Sequence, residues 1–278
     1  MRVNLAGAFD DRDQDIEQLI AELQPIYGAA VSQRWTLSCR KCTYLGPFAV
    51  AMVHATWAVG RCRDQSPKIV LPGSPGELVK FCRYSGMEHE FRGGASPDVD
   101  HPQNEVLPLT KFSTANWGLL VPLVRLVKRH RPEFGETGEE VLHGSLFEVI
   151  QNVCDHSGSP VGGSMSARFM SGTNQVRVAI VDRGVGVLAS LRTKYPDTRD
   201  ILHAFERVIE GNYSAKSRPN NMGLGISQLF GMIPAHGGRV TLMSQNGVAF
   251  ASDGNRRPVI RAMRAAYPGT ALFITLPA

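Results

Sequence analysis

Up to Arg92 the chain alternates short apolar runs with amphipathic stretches. Arg2–Phe9 reads as a strand, and Asp10–Tyr27 as a helix with Ile16, Leu19, Ile20 and Leu23 on one face. Trp35–Cys39 predicts a second strand. Phe48–Gly60 predicts an apolar helix, opened by the Gly46-Pro47 break. Lys68–Leu71 predicts a third strand, ended by Pro72-Gly73-Ser74-Pro75, and Gly76–Tyr84 a last helix. Strands alternating with helices indicate an α/β layer over residues 1–92. Residues 93–105 are polar, carry Gly and Pro, and show no period, which predicts a linker.

From Val106 onward the pattern changes. Ala115–His130 predicts a helix through Leu119, Leu120, Leu123, Val124 and Val127, and Glu139–His156 a longer one. Apolar strands are expected at Ser164–Met170 and Gln175–Val181, with helical stretches between Val187 and Glu210. A Gly/Asn-rich loop, Gly211–Met222, leads to a helix at Gly225–Ala235 and strands at Arg239–Ser244 and Ala271–Leu276. Helices followed by a strand-rich end suggest an α+β two-layer sandwich over 106–278, its sheet covered on one face.

Composition adds bounds. The 278 residues suit two modest domains, and 43% hydrophobic with 20% charged residues describes a folded chain. No run is long enough to span a bilayer and no secretory signal opens the chain, so a cytoplasmic protein without a membrane partner is expected. The five cysteines are odd in number and sparse, which argues against a disulfide framework. Cys39-Arg40-Lys41-Cys42 lacks the second ligand pair that a zinc site needs. The net charge of +5, with basic clusters at 125–131 and 256–264, comes with no nucleic-acid motif. A polyphosphate or an acidic protein would suit that charge as well as DNA or RNA.

Candidate chemistry begins on the helix 139–156. At roughly 100° per residue, Asn152 and His156 fall on the side of Glu148, with Asp155 beside them, and Leu142, Leu146, Val149, Ile150 and Val153 lie opposite. The ordinary explanation of such a face is solvation. Asp182-Arg183-Gly184-Val185-Gly186 follows a buried-type strand, where glycines permit a tight turn and close approach. Gly223-Leu224-Gly225 opens a helix whose free backbone N–H groups could bind phosphate. Gly269-Thr270 feeds the final strand.

In this order, E-x-x-x-N-x-x-D, D-x-G-x-G, G-x-G and G-T resemble the GHKL ATPase superfamily, the Bergerat nucleotide-binding fold of gyrase B subunits, histidine kinases, MutL proteins and anti-sigma serine kinases. The resemblance covers about residues 106–278 and implies ATP and Mg²⁺ as ligands. It implies Asn152 as the magnesium ligand and Glu148 as the general base that activates water or a protein hydroxyl. Asp155 would support the adenine and ribose end, and Asp182 would accept the adenine amino group. Gly184 and Gly186 would let the base pack close. Gly211–Met222 would be a mobile lid with Lys216 and Arg218 near phosphate, Gly223 and Gly225 its phosphate-contacting hinge, and Thr270 a hydroxyl near adenine. Arg183 departs from the small or polar residue common at its position. Neither His130 nor His143 sits in a phosphoacceptor context, so a sensor histidine kinase is not expected. No stretch resembles the transducer domains that gyrase and MutL need, so those roles are not expected.

The stretch from Trp35 to Phe91, through Tyr44–Met52, Lys68–Pro72 and Leu78–Met87, resembles a STAS domain, the fold of anti-sigma-factor antagonists. The family's phosphorylatable serine would fall near Gly46–Phe48, where Pro47 and Phe48 stand instead; Thr43 and Ser38 are nearby. Together the two resemblances imply an anti-sigma-type serine/threonine kinase or switch with a STAS-like docking module, whose partner is a STAS-type or sigma-factor-type protein. A slow ATPase driving a conformational change, and a non-catalytic ATP sensor, remain alternatives. Nucleic-acid binding is a distant fourth, and homodimerisation stays open.

Overall fold

The chain is described by a computed structural model, which places all residues except 11, 75, 94–104, 212–223 and 255–256. Nearly all of the expected linker, the expected lid beyond Gly211 with Lys216 and Arg218, and the hinge residue Gly223 lie outside the described residues. The N-terminal elements are β1 (Arg2–Phe9), α1 (Asp13–Tyr27), β2 (Thr36–Leu45), α2 (Pro47–Cys62), β3 (Lys68–Val70), α3 (Gly76–Tyr84) and α4 (Met87–Arg92). They form a parallel three-stranded sheet in the order β1-β2-β3. The helical crossovers are what parallel neighbours require.

The second strand runs past the predicted end at Cys39 because it carries a bulge. Asn4 pairs with Ser38, but Ala6 pairs with Lys41, so β2 advances by one residue more than β1. In a regular strand Cys39 and Cys42 would point to opposite faces. With the bulge, both are buried while Arg40 and Lys41 are exposed. The Cys42 thiol hydrogen-bonded to it and its own burial, with the Cys82 thiol nearby, hold the Cys39 thiol well above its ordinary range. These are packed, unreactive thiols. Among the described residues no group of three or more His, Cys, Asp or Glu side chains could hold a metal ion.

The C-terminal elements are β4 (Val106–Phe112), α5 (Val121–His130), α6 (Gly135–His156), β5 (Gly163–Met170), β6 (Gln175–Asp182), α7 (Gly186–Arg192), α8 (Ile201–Glu210), α9 (Gly225–Ala235), β7 (Arg239–Ser252) and β8 (Val259–Pro277). They build a five-stranded sheet, β4-β5-β6-β8-β7, antiparallel throughout. The edge strand β4 and the length of the β7–β8 hairpin exceed what periodicity predicted. No helix among the described residues is long and apolar enough to cross a membrane.

The sheet differs from the expectation in one respect that organises the molecule: both of its faces are buried. Val176, Val178 and Ile180 of β6, with Leu272, Ile274 and Leu276 of β8, pack with α5, α6, α8 and α9. The alternate residues Ala179, Val181, Ala271 and Phe273 join a core made by α1, α2 and the three-stranded sheet. Near-continuous apolar runs in β6 and β8 are the sequence mark of strands covered on both sides. Helix α2 is the filling between the two sheets. Phe48 is fully buried, edge-on to Phe273 with ring centroids 5.5 Å apart. The place where a STAS phosphoacceptor would stand is therefore the start of a buried helix.

Polar ties flank this apolar contact. Along α1 and the residue leading into it, Asp10, Asp13 and Glu17 pair with Arg177, Arg239 and Arg261 of the sheet. Such partly exposed pairs contribute little each; they line one margin of the contact between α1 and the sheet. On the other side, His54 of α2 is buried, its Nδ1 2.6 Å from Ser164 Oγ of β5. Its Nε2 lies 3.6 Å from Glu90 of α4, and Lys111 of β4 reaches the same carboxylate at 3.0 Å. The His54 ring, and then Lys111, hold the Glu90 carboxyl down at about 2. A depressed carboxyl gives stability that is present above its unfolded value of 4.5 and lost as pH falls toward about 2. Denaturant midpoints measured against pH should therefore show Glu90→Gln less stable than wild type at neutral pH, the gap narrowing below about pH 4.5. A gap independent of pH would assign the effect to packing.

Candidate functional site

A cleft of about 100 Å³, partly open to solvent, lies between the sheet and the helices on its outer face. Its walls are apolar: Val149 and Val153 of α6, Ile180, Val187 and Leu191, and Leu242 and Leu272. Into this slot point a few polar groups, from Asn152, His156, Asp182, Ser190 and Thr270. An apolar cleft with a small number of converging polar groups is the usual form of a small-molecule site.

The dominant group is Asp182, the last residue of β6 and only 1% exposed. A central strand buried on both faces delivers its final side chain into a water-poor place. Burial pushes the carboxyl up to about 6, against the opposing pull of the Gly184 amide, the amide and hydroxyl of Thr270, and Arg183. The Gly184 N–H donates to Asp182 Oδ1 at 2.7 Å, a local turn that fixes the carboxylate's orientation. Thr270 stands opposite because Val181 pairs with Ala271 in the β6–β8 ladder.

The turn after Asp182 is held from several sides. Val185 N–H donates to the Ser157 carbonyl at the end of α6, at 2.7 Å. Ser244 of β7 accepts from the Val187 N–H at 2.9 Å and donates to the Gly269 carbonyl at 2.7 Å. Tyr267 Oη donates to the Asp182 carbonyl at 2.7 Å. Gly184 is required by this packing: a Cβ there would lie 1.9 Å from the Ser157 oxygen. Gly186 has φ of +81° and would set a Cβ 2.6 Å from Ser244 Oγ. Both glycines thus serve the docking of the turn on α6 and β7, and Gly186 also lines the cleft.

On α6, Asn152 lines the cleft and His156 stands one turn further along the same wall. The His156 Nε2 is buried without a hydrogen-bond partner among the described residues. Helical spacing already sets it on the polar face with Glu148 and Asn152, without assigning it a role. Asp155 is exposed and does not line the cleft. Glu148 does not line it either; its Oε2 accepts the Gly225 N–H at 2.9 Å, at the start of α9. A carboxylate there satisfies a free amide and complements the helix dipole. Gly225 allows the approach, since a Cβ would sit 2.7 Å from Glu148 Cβ. The structure thus brings Asn152, Asp182, Gly186 and Thr270 into one cleft, with Glu148 and Gly225 meeting beside it through Ile226.

No protein-family model matches the chain. A 106-residue stretch is 26% identical to the probable sensor histidine kinase TcrY of Mycobacterium tuberculosis. The match covers 38% of this chain and 20% of that protein. The chain is thus similar, over part of its length, to a fifth of a histidine kinase.

The geometry of the turn makes a sharp prediction. Gly184→Ala forces the 182–186 turn off the end of α6, at a cost of about 1–3 kcal/mol in unfolding free energy. A denaturation curve within about 0.5 kcal/mol of wild type would show that the contact with Ser157 yields easily.

Proposed function

We propose that the chain is an ATP- and Mg²⁺-binding regulatory protein of the histidine-kinase-like GHKL kind, with the cleft as its nucleotide site. The observation that carries this reading is a single carboxylate, Asp182, buried in an apolar cleft that an amide side chain, Asn152, also lines. A purine supplies apolar faces for the slot and an exocyclic amino donor for the carboxylate. The His156 Nε2, without a hydrogen-bond partner among the described residues, gives a bound nucleotide a further polar contact. The partial similarity to a sensor histidine kinase points the same way.

The residues fit such a ligand in an uneven way. Asn152 offers one amide oxygen to a hard cation. With no acidic cage among the described residues, the remaining magnesium ligands fall to phosphate and water, as is common for this ion. Bound Mg²⁺-ATP would supply an activated phosphoryl group. Glu148, on α6, lies against the N-terminus of α9; in the catalytic form of the reading it is the group that accepts a proton from a hydroxyl or a water. In that form the chain is an anti-sigma-type serine/threonine kinase whose STAS-like unit helps to select a STAS-type or sigma-factor-type partner. The phosphoacceptor-side face of that unit is covered by the sheet of its own chain, so a partner would meet other surfaces. A second reading, nucleotide sensing without phosphate transfer, is favoured by the engagement of Glu148 with the Gly225 amide.

Calorimetric titration with Mg²⁺-ATP tests the site. Asp182→Asn should weaken binding by about 1.5–3 kcal/mol, the worth of a charge-assisted hydrogen bond, or roughly tenfold to a hundredfold. Wild-type affinity should fall more steeply than that of the variant as pH drops through about 6, because only wild type loses its acceptor to protonation, while titration of the nucleotide's own phosphate is common to both. Asn152→Ala should abolish the gain in affinity on adding Mg²⁺. Incubation with labelled ATP then separates the readings: phosphoprotein favours the kinase, and nucleotide bound but unchanged favours the sensor. Wild-type affinity in Asp182→Asn would overturn the nucleotide site itself.

A further inference from the structure

Arg183, the residue next to the buried carboxylate, points away from the cleft. It is 9% exposed and crosses from the sheet to the N-terminal unit. Its Nε donates to the Pro268 carbonyl at 3.0 Å, and its Nη1 donates to Thr56 Oγ1 of α2 at 3.2 Å. The guanidinium lies 4.2 Å from the centre of the Tyr27 ring at the end of α1, a distance at which a cation and an aromatic face attract. Thr56 spends its own hydroxyl proton on the Met52 carbonyl, which leaves its oxygen to receive the arginine. Tyr267 adds a second strut. Its hydroxyl holds the Asp182 carbonyl, and its ring meets Tyr27 edge-on with centroids 6.0 Å apart. One residue pair therefore presents a carboxylate to the cleft on one side of the sheet and a cation to α1 and α2 on the other.

We propose that Arg183 and Tyr267 couple the cleft to the N-terminal unit, so that a ligand captured on Asp182 tightens the seating of α1 and α2. This rests on the nucleotide reading of the cleft. The coupling needs no displacement: a ligand that holds the Asp182 turn in its docked form also holds the two groups that anchor the helices behind it. By linkage the effect is reciprocal, and loosening α1 or α2 weakens ligand binding by the same factor. The N-terminal unit is then a sensor of cleft occupancy within its own chain.

Hydrogen exchange of the full chain with and without saturating Mg²⁺-ADP tests this, with binding followed by calorimetry on the same samples. Helix α3, which belongs to the same unit and supplies none of the partners of Arg183 and Tyr267 named above, serves as the internal reference. In wild type, nucleotide should slow exchange in α1 and α2 severalfold more than in α3. Arg183→Met should bind nucleotide yet lose that excess protection, and Arg183→Lys should keep part of it. Thr56→Val, which removes only the acceptor, provides a milder variant should Arg183→Met fold poorly, and it too should lower the excess. Bound nucleotide with α1 and α2 protected no more than α3 would overturn the coupling alone. The same holds if both Arg183→Met and Thr56→Val retain the wild-type excess. Calorimetry showing no binding would overturn the nucleotide reading and the coupling with it.

Discussion

The burial of one carboxylate at the tip of a strand is the constraint on which the rest of the molecule turns. A buried carboxylate is costly unless it is hydrogen-bonded or neutralised. Here the cost is met by the Gly184 amide, by Thr270 and by an adjacent arginine, and it is still large enough to lift the carboxyl to about 6. Keeping Asp182 in place requires the following turn to lie flat against α6, which is why position 184 has no room for a side chain. It also requires Tyr267 and Ser244 to hold the backbone from the β7–β8 side. A group that expensive, aimed into a cleft, is where proteins keep their ligand chemistry.

Dryness at that strand end depends on the second cover of the sheet. If α1 and α2 were absent, Ala179, Val181, Ala271 and Phe273 would face water, and so would Tyr27 and Arg183 behind Asp182. The N-terminal unit is therefore a structural wall of the half that carries the cleft. Its contact is apolar at the centre, through Phe48 and Phe273, and ionic at the margins, where three acids leading into and along α1 meet three arginines of the sheet. That arrangement resembles a domain core with a polar rim more than a loosely tethered pair.

Much of this was legible in the sequence, and the reasons for the rest are specific. Strands β1 and β6 and the helix α3 were set by clear periodicity, and Asn152 and Asp182 were marked by their places on a helix face and at a strand end. The bulge in β2 could not be read, because a bulge changes which residues share a face without changing composition. The edge strand β4 carries Pro108 and polar residues that mask its period. The second buried face of the sheet was present in the near-continuous apolar runs of β6 and β8, but periodicity alone cannot say what covers them. Glu148 shows the limit most clearly. Its position on α6 is evident, yet its tie to Gly225, 77 residues away, depends on how two helices meet in space.

Co-crystallisation of the chain with Mg²⁺ and a non-hydrolysable ATP analogue tests the nucleotide site most directly. The base should lie between Val153, Ile180 and Leu272 with its amino nitrogen within hydrogen-bond reach of Asp182, and the cation should be ligated by Asn152. Nucleotide density with the base turned away from Asp182, or settled outside this cleft, would contradict it.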